Sequence, residues 1–223
     1  MRILAFETST ARGSVALWEG DRIVASVSHE QPNAHAEAIL PLMSGLLTDA
    51  GWPKTSLDRL GVGLGPGSFT GLRVGIALAD GLSLGLDRPL IGIPSLQAMV
   101  TGPLSLDPSP CAAALDAHRG ELFVAIYEPS RELCGPHVVP RGELSAFLLA
   151  REVKRVVGAS AEGATGEIRY LRGEDLDLPH ARRVAELAAQ ADPSSSSSQP
   201  IYVRGAGATL PTLPRSPLGL GPT

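Results

Sequence analysis

Apolar residues gather into three short β-forming runs at 2–7, 14–19 and 22–29, separated by the turn sequences Thr10-Ala11-Arg12-Gly13 and Glu19-Gly20-Asp21. That pattern predicts an antiparallel meander. From Asn33, a predicted N-cap, to Ala50 the apolar period lengthens to that of a helix. Ile39, Met43, Leu46 and Ala50 share one face, Gly51 closes the C-terminus, and Pro41 is expected to bend the helix. Residues 59–64 then form a buried strand, followed by a glycine loop, a helix over 70–86, a strand at 89–93 and a helix starting at Ser95. Strand, helix, strand in that order implies a right-handed parallel crossover, so the first half reads as a mixed sheet with helices packed on it.

The second half is sparser. A Pro/Ser-rich boundary at 103–110 precedes a hairpin of 111–116 and 121–127 around Ala117-His118-Arg119-Gly120. A helix over 142–151, a strand at 154–158 and a helix over 180–191 follow. Ser194 to Ser198 reads as a low-complexity linker, and residues 205–223 are too rich in Gly and Pro to offset the cost of ordering. The expected organisation is a first lobe at 1–103, a second lobe at 104–204 and a disordered tail at 205–223.

Composition narrows the function classes. Aromatic residues are only 4% of the 223, while Gly and Pro number 25 and 19, so the core must be built from small and medium aliphatics. A net charge of -4 argues against unaided binding of a polyanion, which draws its affinity from Lys and Arg. Arg151, Lys154 and Arg155, Arg169 and Arg172, and Arg182 and Arg183 form basic spots, each flanked by acids and read as solvated faces. Cys111 and Cys134 lie far apart with no CxxC or histidine partner, which predicts reduced thiols and neither a metal knuckle nor a disulfide framework. The N-terminus reaches Glu7 too soon for a signal peptide, and the apolar stretch Leu72 to Leu86 reads as one turn short of a membrane span. A cytoplasmic location with no membrane contact is expected.

Three segments could carry chemistry. Gly65-Pro66-Gly67-Ser68 sits between a strand and a helix, where backbone N–H groups and the helix dipole could meet an anion, so Gly65, Gly67 and Ser68 are a candidate phosphate loop. It lacks the Lys-Ser/Thr ending of a P-loop and the spacing of a dinucleotide fingerprint, and a tight turn is the competing reading. His35 has Ile39 four positions on, so the paired-ligand spacing of a helical zinc site is missing and a structural histidine is expected. Neither Ser68 nor Ser95 sits in a G-x-S-x-G elbow. The helix over 70–86 says more: Gly71, Gly75 and Ala79 make a flat stripe where another backbone can come close, and only Arg73 and Asp80 are charged. A helix apolar almost all round must be covered on both sides, one by its own sheet and the other by a second protein or, on the competing reading, by the second half of the chain.

Read together and in order, Glu7-Thr8-Ser9-Thr10, His35-Ala36-Glu37 with Leu40-Pro41, the run GPGSFTGLRVG from Gly65 to Gly75, Ile93-Pro94-Ser95-Leu96, and Asp116-Ala117 with Gly120-Glu121 resemble the bacterial TsaB (YeaZ) family. The likeness covers residues 1–127 well, and the remainder by length and the ending Tyr202-Val203-Arg204; Glu7 stands where the family more often has Asp. The resemblance implies an α/β fold of the actin/sugar-kinase/Hsp70 (ASKHA) type, with two lobes, the second reduced. It implies a non-catalytic partner in the transfer of threonylcarbamoyl to N6 of adenosine 37 in tRNAs reading A-starting codons. The implied partners are the catalytic paralogue TsaD, the ATPase TsaE, a second copy of the chain when alone, and tRNA only through the complex. It aligns the two metal-binding histidines of the catalytic paralogue with Ser95 and Met99, which cannot replace an imidazole pair, so neither a catalytic residue nor a metal or cofactor is expected. The implied pairing surface is built on the helices 35–50 and 70–86, through Ala36, Leu40, Met43, Leu47, Arg73, Ala77 and Asp80. A small-molecule kinase or peptidase of the same fold, and a direct tRNA-binding module, are the competing functions.

Overall fold

The computed structural model describes residues 1–31, 34–129, 131–195 and 197–203. The expected N-cap Asn33, Arg204 and the tail at 205–223 lie outside the described residues. The meander forms as predicted, with β1 (Arg2–Glu7), β2 (Gly13–Glu19) and β3 (Arg22–His29). Next come α1 (His35–Asp49), β4 (Arg59–Gly63), α2 (Phe69–Leu86), β5 (Leu90–Ile93) and α3 (Ser95–Leu106). The first sheet runs β3-β2-β1-β4-β5, antiparallel on the meander side and parallel from β1 through β4 to β5.

Period two along β1 divides the core. Leu4 and Phe6 point to one face, where Ile39, Met43 and Leu46 of α1 and Leu72 and Ile76 of α2 cover them. Ile3 and Ala5 point to the other, beneath Val184, Ala185 and Ala188 of a helix that arrives much later in the chain. Burying one Leu such as Leu72 contributes about 2 kcal/mol, so both coverings matter to the sheet. Pro41 lies inside α1, which runs on past it, and Gly51 at φ 66° receives the turn that ends the helix.

The second sheet, ordered β10-β9-β6-β7-β8, uses β6 (Cys111–Asp116), β7 (Glu121–Glu128), β8 (Arg131–Pro140), β9 (Arg155–Val157) and β10 (Arg169–Tyr170). Short helices α4 (Leu144–Leu149) and α5 (Glu174–Asp177) precede α6 (Ala181–Gln190). Three differences from the sequence reading have physical causes. Strand β8 is masked in the sequence by Gly135 and Pro136, which an edge strand tolerates because one row of its backbone groups needs no ladder partner. Pro103 does not open a linker but sits within α3, which ends at Leu106. Helix α6, grouped by position with the second half, packs on the first sheet, where Arg12 of the β1–β2 turn holds its approach by donating to the carbonyls of Leu178 and of Pro179, the latter at 3.2 Å.

Candidate functional site

The strand ends β1 and β4 meet the glycine loop and the start of α3 around one carboxylate. Glu7 is wholly buried; its Oε1 accepts from the Ser9 amide at 2.7 Å and its Oε2 from Ser95 Oγ at 2.7 Å. Ser95 Oγ in turn accepts from the Gly65 amide at 3.0 Å, and the Ser95 amide donates to the Gly65 carbonyl at 2.8 Å. A side chain at residue 63 would overlap Glu7 Oε2, which is why glycine stands there. Burial pushes the Glu7 carboxyl above the ordinary carboxylate range, while the bonds from Ser9 and Ser95 pull it back.

This junction revises the phosphate-loop expectation for Gly65, Gly67 and Ser68. The Gly65 amide is spent on Ser95 and the Ser68 amide on the Ser9 carbonyl at 2.7 Å, while Ser68 Oγ caps α2 by accepting from Gly71 N at 3.2 Å. Gly67 has no room for a Cβ because the Ser9 carbonyl lies against it. The loop is built as a buttress between two strands and a helix.

Helices α1 and α2 lie side by side on the same face of the first sheet, and the residues expected to pair with another chain divide there. Ala36, Leu40, Arg73, Ala77 and Asp80 are exposed; Met43 and Leu47 are not. Met43 follows Ile39 by one turn and faces the sheet, and Leu47 is closed in when the chain turns at Gly51 and brings Trp52 into the same cluster. Both belong to the chain's own core, a correction to the expected set. The small-residue stripe also faces inward: side chains at Gly71 and Gly75 would strike the Thr8 carbonyl and Thr8 Oγ1. The close backbone approach it permits is with the chain's own first strand. What remains outside on α2 is still apolar, with Phe69 46% and Leu84 87% exposed, and only 28% of this 18-residue helix is buried. By length and composition α2 could cross a membrane, which corrects the expectation of one turn too few; its locked inner stripe marks it as a sheet-covering helix. At its start the Arg73 guanidinium stacks on the Phe69 ring at 3.7 Å, and Phe69 lies 5.4 Å from Tyr202, so the C-terminal stretch reaches this same face.

His35 has the structural role expected of it. Its Nε2 donates to the Thr10 carbonyl at 2.8 Å and its Nδ1 pairs with His29 Nε2 at 3.1 Å, so the two rings tie the start of α1 to β3 and to the β1–β2 turn. Among the described residues one group, Glu174, Asp175 and His180, has metal-ligand geometry within 4.8 Å. Arg182 already sits on both carboxylates, at 3.0 and 2.8 Å, and His180 Nδ1 accepts from the Arg182 amide, so the donors are engaged. Cys111 and Cys134 are both free thiols.

Comparison with known proteins bears on this geometry. The family model "TsaD: tRNA N6-adenosine threonylcarbamoyltransferase" matches residues 22–140. A Haemophilus influenzae tRNA threonylcarbamoyladenosine biosynthesis protein TsaB is 30% identical over 92% of this chain and 94% of its own length. The chain belongs to the TsaB (YeaZ) family. The Escherichia coli TsaB is 42% identical, over 57% of this chain and 55% of that protein's length. Among solved structures, YeaZ from Pseudomonas aeruginosa superposes with a TM-score of 0.73 at 26% identity, covering 90% of this chain and 99% of that one. The ethanolamine utilization protein EutJ from Carboxydothermus hydrogenoformans, 12% identical with a TM-score of 0.54 over 83% of this chain and 89% of its own, shares the fold. The architecture is therefore α/β and ASKHA-like, as expected.

Within the TsaB frame, positions 95 and 99 are informative. Both are wholly buried: Ser95 is committed to Glu7 and Gly65, and Met99 packs among Leu96, Ala113 and Ala125. Arg151, Arg169 and Arg172 are exposed, as expected of solvated faces, whereas Arg155 departs from that expectation. Arg155 is buried, donating to the carbonyls of Asp107 at 2.7 Å and of Ser109, where it closes the C-terminus of α3. Arg169, Arg172, Arg182 and Arg183 line the same cavity with it. The repeated arginines over 151–183 are the available signal, but nothing in the sequence says that α3, β9, β10 and α6 converge.

Proposed function

We propose that this chain is the non-catalytic partner subunit in tRNA threonylcarbamoyladenosine biosynthesis. It dimerises with the threonylcarbamoyltransferase paralogue TsaD, recruits the ATPase TsaE, and meets tRNA only through that assembly. Alone, it pairs with a second copy through the same face. The observation that carries the reading is the apolar face of α1 and α2 that the other described residues leave open, where Leu40 is 50% and Leu84 87% exposed beside Ala36 and Ala77. Contiguous exposed apolar surface marks a docking site. Arg73 and Asp80, seven residues apart on α2, supply charges that can fix register on a partner. The same reading accounts for the sealed Ser95 and Met99, at the positions where the paralogue would hold its metal ligands.

The double variant Leu40→Glu, Ala77→Glu tests it. Both side chains are exposed, so the fold should change by no more than about 0.5 kcal/mol. The expected result is a folded monomer that no longer co-elutes with TsaD and no longer supports tRNA modification; modification at the unaltered rate overturns the proposal. A peptidase needs a reachable activated nucleophile, and Ser95 is wholly enclosed with a carboxylate as its partner. A kinase of this fold would bind ATP and transfer its phosphoryl group with the isolated chain, which calorimetry and product analysis decide.

A further inference from the structure

The end of α3, strands β9 and β10 and helices α5 and α6 line an open cavity of about 670 Å³. That size suits a small ligand rather than a groove for a helix. Its walls carry five arginines, Arg155, Arg169, Arg172, Arg182 and Arg183, against three acids, Asp107, Glu174 and Asp175. The surplus is positive in a chain whose net charge is -4.

The arginines are not equally committed. Arg182 is held by Glu174 and Asp175, and Arg183 by Glu186 at 2.7 Å and Asp175 at 3.5 Å. The Nε groups of Arg155 and Arg182 are closed off from solvent without a hydrogen-bond partner, and Arg183 Nε faces Asp175 Oδ2 at 3.5 Å. Arg172 reaches Glu162 and Asp177 only at 3.7 and 3.6 Å and leans over the Tyr170 ring at 5.7 Å. Among the described residues the Arg169 side chain makes no hydrogen bond or ion pair, and it is exposed. Two loosely held, exposed guanidinium forks on one wall match the oxygens of a phosphate group.

We propose that this cavity binds a small phosphorylated ligand, whose phosphate is taken by the exposed guanidinium groups of Arg169 and Arg172. The site is separate from the partner face and does not depend on it. Pyrophosphate is the probe, titrated calorimetrically into the full chain at about 0.05 M and about 0.5 M salt. Saturable binding is expected, weaker at the higher salt. It should weaken by about tenfold for each of Arg169→Ala and Arg172→Ala, both exposed positions whose variants should melt at the unaltered temperature. Arg22→Ala, at the start of β3 and outside the cavity lining, should bind as the unaltered chain does. Absence of binding, or equal affinity in the Arg169→Ala, Arg172→Ala double variant, overturns the proposal. A short single-stranded RNA probes the other source of phosphate. If it displaces pyrophosphate through the same two arginines, the site belongs to a nucleic acid and the small-ligand assignment falls.

Discussion

Replacing Gly75 with alanine tests which side of α2 meets the sheet. The new Cβ would approach Thr8 Oγ1 well inside the 3.0 Å that such contacts respect, and Thr8 Oγ1 already donates to the Gly71 carbonyl at 2.8 Å. Overpacking of this kind costs about 1–3 kcal/mol, and disturbing the Thr8 bond adds about 1 kcal/mol. Higher helix propensity returns up to about 1 kcal/mol. The balance is a loss of about 1–3 kcal/mol, or roughly 3–10 °C for a chain of this size. Gly81, on the same helix, has open space where a methyl group would stand, with nothing within 4 Å, so Gly81→Ala should gain about 0.5–1 kcal/mol. Adding Thr8→Ala to Gly75→Ala removes the obstructing oxygen and should recover most of the loss. Denaturant unfolding of the parent, these three variants and the single Thr8→Ala measures all of this. A Gly75→Ala protein as stable as its parent, or no coupling with Thr8→Ala, would refute the inward orientation of the stripe.

Two buried titrating groups give opposite pH signatures. Glu7 has a raised folded pKa, so its contribution to stability is complete below the ordinary value of 4.5 and is lost as pH climbs through the folded value. Glu7→Gln should remove that decline, read from unfolding midpoints as pH rises above 4.5; an unchanged profile sinks the assignment. Burial pushes His180 down to about 4, with Arg182 and Arg12 adding to the effect against Asp175 and Glu174. Its stabilisation is therefore present above the ordinary 6.5 and lost as pH falls toward about 4. His180→Asn keeps an acceptor for the Arg182 amide at the start of α6 and should flatten the acid limb over that interval.

Local signals carry the first half of the molecule. The turns at 10–13 and 19–21, the helical period through Ile39 and Met43, and the strand, loop, helix, strand order to Ile93 are each encoded within a few residues of where they act. The candidate face is legible in part for the same reason. Periodicity shows that Leu40 and Ala77 lie on helices, but not that Trp52 closes over Leu47 or that Thr8 fills the space beside Gly75. Those facts depend on the return path of the chain. Beyond the β6–β7 hairpin the second half is harder, because β8 is interrupted by Gly135 and Pro136 and β9 and β10 span only three and two residues, too few for periodicity or propensity to act on. The cavity arginines are individually visible and collectively invisible, since their convergence joins residue 102 to residue 183.

Because α6 covers Ile3, Ala5 and Ala16, the oldest strands of the chain wait for one of its last helices. During synthesis at about 5–20 residues per second, β5 precedes the completion of α6 by on the order of 5–20 s. Throughout that interval a nascent chain displays one bare, strand-forming surface. A ribosome stalled after residue 150 would therefore release a sticky fragment rather than a half-sized protein, and chaperone capture should peak before α6 emerges.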